Sequence, residues 1–152
     1  MLPPDLRQTL VMVAQAMRDA RDPWWVISSA AVALHGVAAV TVADVDVVTS
    51  VEDARRMMAR LGVGPAKESA SPIFRSTVFG RWTAPPLMVE IMAGFHVANA
   101  AGWTEVIPRT RVPILVEEAI VYVPDRVELA EMLRLFGRPK DYERIRLLTT
   151  QP

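Results

Sequence analysis

The stretch VISSAAVALHG at residues 26–36, followed by ADVDVV at residues 43–48, decides the fold. The residues from Trp24 to Ile27 are aromatic and β-branched, which is typical of a buried strand. Two serines then precede a short alanine-rich run that ends at Gly36, so we expect a short helix capped by one of these serines. Apolar and polar residues alternate from Asp44 to Thr49, which predicts another strand. The order strand, helix, strand indicates an α/β protein.

Four further helices are predicted from apolar residues that recur at helical spacing. Their limits follow from proline positions, from two capping-box pairs and from terminating glycines. The predicted helices run from near Asp5 to the Asp22-Pro23 pair, from the Ser50/Asp53 cap to Gly62, from the Asp125/Glu128 cap to Gly137, and from Pro139 onward.

Further strands are predicted at residues 73–79 and 87–92. Residues 104–123 are β-branched but contain Pro108 and Pro113, and we interpret them as an edge strand and a connection. No repeat or flexible linker interrupts the chain. We therefore expect one α/β (α+β) domain over residues 1–152, with a mixed β-sheet of about four to six strands and helices packed mainly on one face.

The composition excludes several classes of protein. The 152 residues are 51% hydrophobic and carry 17 basic and 17 acidic groups, without the basic excess of a duplex-binding protein. The absence of cysteine excludes disulfides and zinc–thiolate sites. The N-terminus does not resemble a signal peptide, and polar residues interrupt the apolar stretch at 26–42. We expect a cytoplasmic protein without a membrane span and without nucleic acid as its main partner.

Asp44 and Asp46 are the first candidate site residues. Residues spaced by two on a strand point to the same side, about 6–7 Å apart along the backbone, so both carboxylates can bind the same cations. Mg²⁺ prefers such carboxylates together with water and phosphate oxygens. Two aspartates at this spacing are also common on solvated strand faces, so the spacing alone leaves both interpretations open.

Glu90 stands alone among apolar residues in the predicted strand at 87–92. Such a glutamate lies either at a sheet edge facing water or in a functional site, and we favour the site. Ser28 and Ser29 are equally compatible with helix caps and with phosphate ligands. His35 fits a structural role at the end of its helix better than that of a catalytic base.

These residues together resemble the nucleotidyltransferase superfamily, particularly the small bacterial members related to AbiEii toxins. Those proteins have a Gly-Gly or Gly-Ser pair, a short helix ending in His-Gly, an Asp-x-Asp strand and a later third acid. The matching positions, together with an Arg-Pro-Lys-Asp element in GRPKDYERIRLL, cover roughly residues 24–148. They are Ser28-Ser29, His35-Gly36, Asp44, Asp46, Glu90 and residues 138–141.

The resemblance implies transfer of a nucleoside monophosphate from a nucleoside triphosphate to a hydroxyl group on protein, RNA or a small molecule. It implies that Asp44 and Asp46 bind two Mg²⁺ ions and that Glu90 either completes this metal site or helps to deprotonate the acceptor. Ser29 and nearby backbone amides would bind the terminal phosphates, with Ser28 beside them and Lys140 or Arg138 within reach. A protein partner of antitoxin type is also implied.

The sequence departs from this pattern at two places. Ser28 replaces the first glycine, which leaves the backbone less room to approach a triphosphate. Ala39 stands about where many relatives have an arginine, and we expect Arg75 to supply the missing cation from a neighbouring strand. The alternative function is therefore a catalytically inactive module of this fold that acts by binding a partner protein.

Overall fold

A computed structural model describes residues 2–68 and 71–150 of the chain. This part contains five helices and nine strands. The helices are α1 (Pro4–Ala16), α2 (Ser28–Leu34), α3 (Val51–Leu61), α4 (Arg126–Phe136) and α5 (Pro139–Thr150). The strands are β1 (Trp25–Ile27), β2 (Asp44–Thr49), β3 (Phe74–Arg75), β4 (Val78–Trp82), β5 (Met88–Ala93), β6 (His96–Asn99), β7 (Gly102–Glu105), β8 (Val112–Val116) and β9 (Ala119–Val123).

The main sheet has four strands in the order β1-β2-β5-β4. β2 and β5 are parallel, whereas β1 and β4 are antiparallel to their neighbours, so the expected mixed sheet is confirmed. α3 packs on one face of this sheet, where a Cβ atom at Gly80 would lie 2.6 Å from Cε of Met58. Phe79 and Arg81 alternate with Gly80 and therefore face the opposite side.

The strands of the two smaller sheets differ from the predicted strands. Residues 73–79 do not form one strand, because the chain leaves β3 at Ser76 and enters β4 in a different sheet. Thr77 occupies the corner, where its N–H group donates to the carbonyl of Ala93. Residues 104–123 include a complete hairpin, β8–β9, rather than one edge strand and a connection. Pro113 fits β8 because this strand has a neighbour on only one side within its sheet.

The predicted ends of α3 and α4 agree with the structure, whereas the predicted end of α1 and the predicted serine cap of α2 do not. Ser50 and Asp125 accept hydrogen bonds from the backbone N–H groups of Asp53 and Glu128 and cap α3 and α4. Gly62 and Gly137 end these helices in left-handed conformations, with φ of 70° and 69°.

α1 ends at Ala16, well before the predicted end at Asp22-Pro23. The reason is the buried carboxylate of Asp53, which accepts hydrogen bonds from the backbone N–H groups of Arg21 and Asp22. These bonds fix residues 21 and 22 outside the helix, after a turn in which the N–H group of Ala20 donates to the carbonyl of Met17. None of the helices in the described ranges is both long enough and apolar enough to cross a membrane.

Candidate functional site

Asp44, Asp46 and Glu90 meet at the centre of the main sheet. Because β2 and β5 are parallel neighbours, their register places Asp46 beside Glu90. One carboxylate oxygen from each of the three residues lies within 4.8 Å of the other two. All three side chains are half-buried. Within the described residues, no other three acidic, histidine or cysteine side chains converge in this way.

The close approach of these carboxyl groups perturbs their ionisation. Burial, followed by the negative charges of Asp44 and Glu90, raises the pKa of Asp46 to about 7. Burial and a hydrogen bond with the Asp44 carboxyl group raise the pKa of Glu90 to about 7, against the positive charge of Arg81. A cation bound between the oxygens would oppose both effects, because it favours the ionised carboxylates.

Three hard oxygen ligands at this separation fit a divalent cation such as Mg²⁺, which is held in proteins by carboxylates together with phosphate oxygens and water. Asp44, Asp46 and Glu90 are the residues that would hold it. The open side of the cluster leaves room for ligands from a substrate, as a catalytic metal site requires.

Ser28 lies beside these acids and has an unusual backbone conformation. Its φ of 60° is in the left-handed region, which glycine adopts without steric cost. Its hydroxyl group donates a hydrogen bond to Asp46 and does not cap α2. Ile27 occupies the cap position, so the predicted serine cap is wrong. The register of β1 and β2, which pairs Ile27 with Asp46, explains why Ser28 reaches the aspartate instead.

The first turn of α5 brings cations to the same place. Asp141 is fully buried and accepts hydrogen bonds from the Nε and Nη2 atoms of Arg138, at 2.6 and 3.0 Å, and from Nη1 of Arg144, at 3.3 Å. It also accepts a bond from the backbone N–H group of Arg138. Lys140, between these residues, is exposed. The Arg-Pro-Lys-Asp element therefore holds a group of cations around one buried acid.

The three acids, the two serines and the cations around Asp141 line one cavity of about 280 Å³. Its walls combine the acids, the serines and the α5 cations with an aromatic side formed by phenylalanines. The lining residues are Ile27, Ser28, Ser29, Asp44, Asp46, Glu68, Ser71, Phe74, Phe79, Glu90, Met92, Phe95, Phe136, Arg138, Lys140 and Arg144.

Six of the seven predicted site residues line this cavity, and Arg75 does not. Arg75 lies on β3, which pairs with β6 in a separate sheet, and its guanidinium carbon is 4.3 Å from the centre of the Trp103 ring. This expectation is corrected by the alternation of side chains along β3, because Phe74 faces the cavity and Arg75, the next residue, faces Trp103. Arg144 takes a cavity position that the sequence interpretation did not assign. Its spacing of three residues from Asp141 on a helix was the available signal.

His35 is placed away from the acids. Its Nε2 atom lies 2.8 Å from the carbonyl oxygen of Pro124, and burial lowers its pKa. The guanidinium group of Arg126, on α4, donates to the carbonyls of His35 and Leu148 and so connects the end of α2 with α5. The His-Gly element thus fixes helix positions, as expected for a structural histidine.

The sequence matches no family model, and no curated protein resembles it significantly. The comparison with solved structures, in contrast, identifies proteins of the same fold. A candidate nucleotidyltransferase from Thermotoga maritima has a similar structure, with a TM-score of 0.74 and 24% identity over 96% of this chain and 93% of that chain.

Two antibiotic-modifying proteins are more distant neighbours. The antibiotic-resistance factor ANT(2'')-Ia has a TM-score of 0.60 and 12% identity, over 95% of this chain and 83% of that chain. The lincosamide antibiotic adenylyltransferase LnuA, solved with lincomycin, has a TM-score of 0.58 and 11% identity, over 91% of this chain and 93% of that chain. By its structure, the chain has the nucleotidyltransferase fold.

Proposed function

We propose that this protein transfers a nucleoside monophosphate from a nucleoside triphosphate to a hydroxyl acceptor, with Mg²⁺ as cofactor. The observation that carries the proposal is the convergence of the Asp44, Asp46 and Glu90 carboxylates beside the cations of α5. The similar structures of nucleotidyl- and adenylyltransferases support the same reaction class. A cytoplasmic location, where nucleoside triphosphates are available, is part of this proposal.

The cations at the start of α5 and the serines would both bind the triphosphate. Lys140, Arg138 and Arg144 bring positive charge to the cavity, and phosphate oxygens favour such donors. Ser29 lines the cavity next to Ser28 and offers a further hydrogen-bond donor. Buried Asp141 keeps both arginines in place before the substrate arrives, which reduces the cost of ordering them.

The transfer step exchanges one phosphorus–oxygen bond for another. The acceptor oxygen forms a bond to the α-phosphorus, the bond from that phosphorus to the departing oxygen breaks, and pyrophosphate leaves with the electron pair. The acceptor proton moves to the Glu90 carboxylate, one oxygen of which lies within 4.8 Å of an oxygen of each aspartate. Bound Mg²⁺ would supply charge neutralisation on the phosphates, and the resemblance to nucleotidyltransferases implies two ions at these carboxylates.

Titration calorimetry with ATP, GTP, CTP and UTP, each with and without Mg²⁺, tests the proposal. We expect Mg²⁺-dependent binding that is lost in the Asp44→Ala/Asp46→Ala double variant and retained in Asp22→Ala, an exposed aspartate outside this cavity. Label from α-³²P triphosphate should then appear on an acceptor. If no triphosphate binds to the folded wild-type protein, the proposal is wrong.

Ser28 supports a second candidate function, that of an inactive module of this fold that binds a partner protein of antitoxin type. The left-handed conformation at Ser28 places a side chain where a glycine would leave space beside a triphosphate. Exposed apolar side chains such as Leu115 and Val127, each 70% exposed, offer contacts for a partner. Failure of triphosphate binding together with a stable complex in co-purification would favour this function.

A further inference from the structure

Arg138 differs from the other cations of the cavity in how its guanidinium group is held. Its Nε and Nη2 atoms both donate to the buried carboxylate of Asp141, at 2.6 and 3.0 Å, and form a bidentate pair with it. The edge of the guanidinium group that would bind a phosphate in this way is therefore occupied within the protein. Arg138 still offers a ligand its positive charge, its Nη1 atom and its flat faces.

One flat face of Arg138 lies on the aromatic side of the cavity. Its guanidinium carbon is 4.8 Å from the centre of the Phe74 ring and 6.0 Å from the centre of the Phe136 ring. The side chain of Arg138 is nevertheless 29% exposed and lines the cavity. Because Asp141 occupies one edge and Phe74 one face, the face turned away from Phe74 is left for a ligand.

The phenylalanine rings of the cavity are less accessible than this face. Phe79, Phe95 and Phe136 are buried. Phe74 is half-buried, and its ring lies against the guanidinium group of Arg138. A flat ligand group in this cavity is therefore expected to stack on Arg138 rather than on a phenylalanine.

The contacts of Asp141 place Arg138 next to the phosphate-binding part of the cavity. Asp141 also accepts a hydrogen bond from Nη1 of Arg144 at 3.3 Å, and so bridges the two arginines. Burial and the neighbouring acids raise the pKa of Asp46, and the charge of Arg144 opposes this rise, so Arg144 lies close to the acids. Contacts therefore lead from the acids through Arg144 and Asp141 to Arg138. A sugar separates the base of a nucleotide from its phosphates in a comparable way.

We propose that the nucleobase of the triphosphate stacks on the open face of Arg138, and that the protein therefore prefers purine to pyrimidine triphosphates. Bases stack on guanidinium planes as they do on aromatic rings, and a purine covers more of the plane than a pyrimidine does. The Asp141 pair and the Phe74 ring fix this plane before the ligand arrives, which reduces the cost of ordering it. The inference rests on the proposed function, but it is measurable as binding without turnover.

Titration calorimetry in the presence of Mg²⁺ tests the inference with ATP, GTP, CTP, UTP and inorganic tripolyphosphate. The four nucleotides share the sugar and the phosphates, so the differences in their affinities come from the base, and tripolyphosphate reports on the phosphates alone. We expect wild-type protein to bind both purine nucleotides at least about threefold more tightly than either pyrimidine nucleotide, and at least about tenfold more tightly than tripolyphosphate. A pyrimidine nucleotide that binds as tightly as the purine nucleotides would overturn the inference.

Two variants locate the base contact. Arg138→Lys keeps the positive charge and removes the plane, so we expect the four nucleotides to bind it with affinities within about twofold of one another. Tripolyphosphate should bind this variant within about threefold of wild type, because Arg144 still pairs with Asp141. Phe74→Leu keeps Arg138 and Asp141 but removes the ring against the guanidinium group, and should reduce the purine preference without changing the affinity for tripolyphosphate.

Arg146→Lys and Tyr142→Leu are the matched controls, at exposed positions on α5 that do not line the cavity, and should leave every affinity unchanged. If Arg138→Lys weakens the binding of all five ligands equally and keeps the purine preference, Arg138 contacts the phosphates. The inference is then wrong, and the proposed reaction stands. If neither the nucleotides nor tripolyphosphate bind to the folded wild-type protein, the proposed function is wrong and the inference fails with it.

Discussion

Replacing Asp46 by asparagine is expected to stabilise the metal-free protein at alkaline pH. Burial and the charges of Asp44 and Glu90 raise the pKa of Asp46 to about 7, whereas an unfolded aspartate has a pKa of about 3.9. The folded protein therefore binds a proton that the unfolded chain has lost between these values. Stability falls as the pH rises from about 4 to about 7, and the full cost is present above that range.

The expected gain in the free energy of unfolding follows from the size of this pKa change. A rise of about three units corresponds to at most about 4 kcal/mol. Because Glu90, whose pKa is raised as well, shares the cost of ionisation, we expect the asparagine variant to gain about 1–3 kcal/mol at pH 8. Asparagine also retains an oxygen that accepts the hydrogen bond from Ser28. The gain should disappear below about pH 4, where Asp46 is protonated in both states.

Urea denaturation of metal-free protein between pH 4 and pH 8.5 measures this effect. Asp22→Asn, an exposed aspartate away from the three acids, is the matched control and should change little at any pH. Adding Mg²⁺ at pH 8 should stabilise the wild type and narrow its difference from Asp46→Asn, because the ion binds only to the folded site. Equal or lower stability of Asp46→Asn at pH 8 would show that the three acids do not repel one another in the folded protein.

Substitutions at three other residues test separate parts of the structure. Ser28→Gly should keep the free energy of unfolding within about 1 kcal/mol of wild type, since relief of the left-handed conformation offsets the greater freedom of glycine in the unfolded chain. Ser28→Val should lower the free energy of unfolding by at least about 2 kcal/mol, because a β-branched residue resists positive φ. Equal stability of the two variants in urea would contradict the left-handed conformation at Ser28. Asp141→Asn should cost about 2–3 kcal/mol and weaken triphosphate binding at least tenfold, because it removes a buried acceptor of charge-assisted hydrogen bonds. Its control is Glu143→Gln on the same helix, whose exposed ion pair with Arg146 should be dispensable, and equal effects of the two changes would argue against the role of Asp141. Asp53→Ala should lower the free energy of unfolding by about 2–4 kcal/mol at pH 7, because it leaves the N–H groups of Arg21 and Asp22 without their acceptor. Hydrogen bonds lower the pKa of Asp53 despite its burial. The difference between wild type and variant in thermal unfolding should therefore shrink as the pH falls below about 4.

Local signals in the sequence were sufficient for much of the fold. Alternation predicted β2 with the bounds that the structure has, and the pairs headed by Ser50 and Asp125 predicted the starts of α3 and α4. These features depend on residues within one turn or one strand, so neighbouring residues decide them. Asp44 and Asp46 were identifiable for the same reason, because their spacing alone places them on one side of a strand.

The features that were not predicted depend on contacts between distant segments. α1 ends early because Asp53, in a later helix, binds the turn that follows it. Arg75 misses the site because Phe74, its neighbour on β3, faces the cavity, and no local pattern shows which of the two side chains faces it. The register between β2 and β5 that joins Glu90 to the aspartates is likewise a long-range property, and only the resemblance to a known superfamily indicated it in advance.

Arg126 has a consequence for how mutations in this protein would be interpreted. It lies on α4, outside the cavity. Its guanidinium group donates to the carbonyl of His35, at the end of α2, and to the carbonyl of Leu148 in α5. Helices α2 and α5, which carry Ser28 and the cations, are thus connected by a residue that does not line the cavity. A genetic screen for loss of activity would recover changes at Arg126 beside those at the acids, and sequence position alone would misassign them to catalysis.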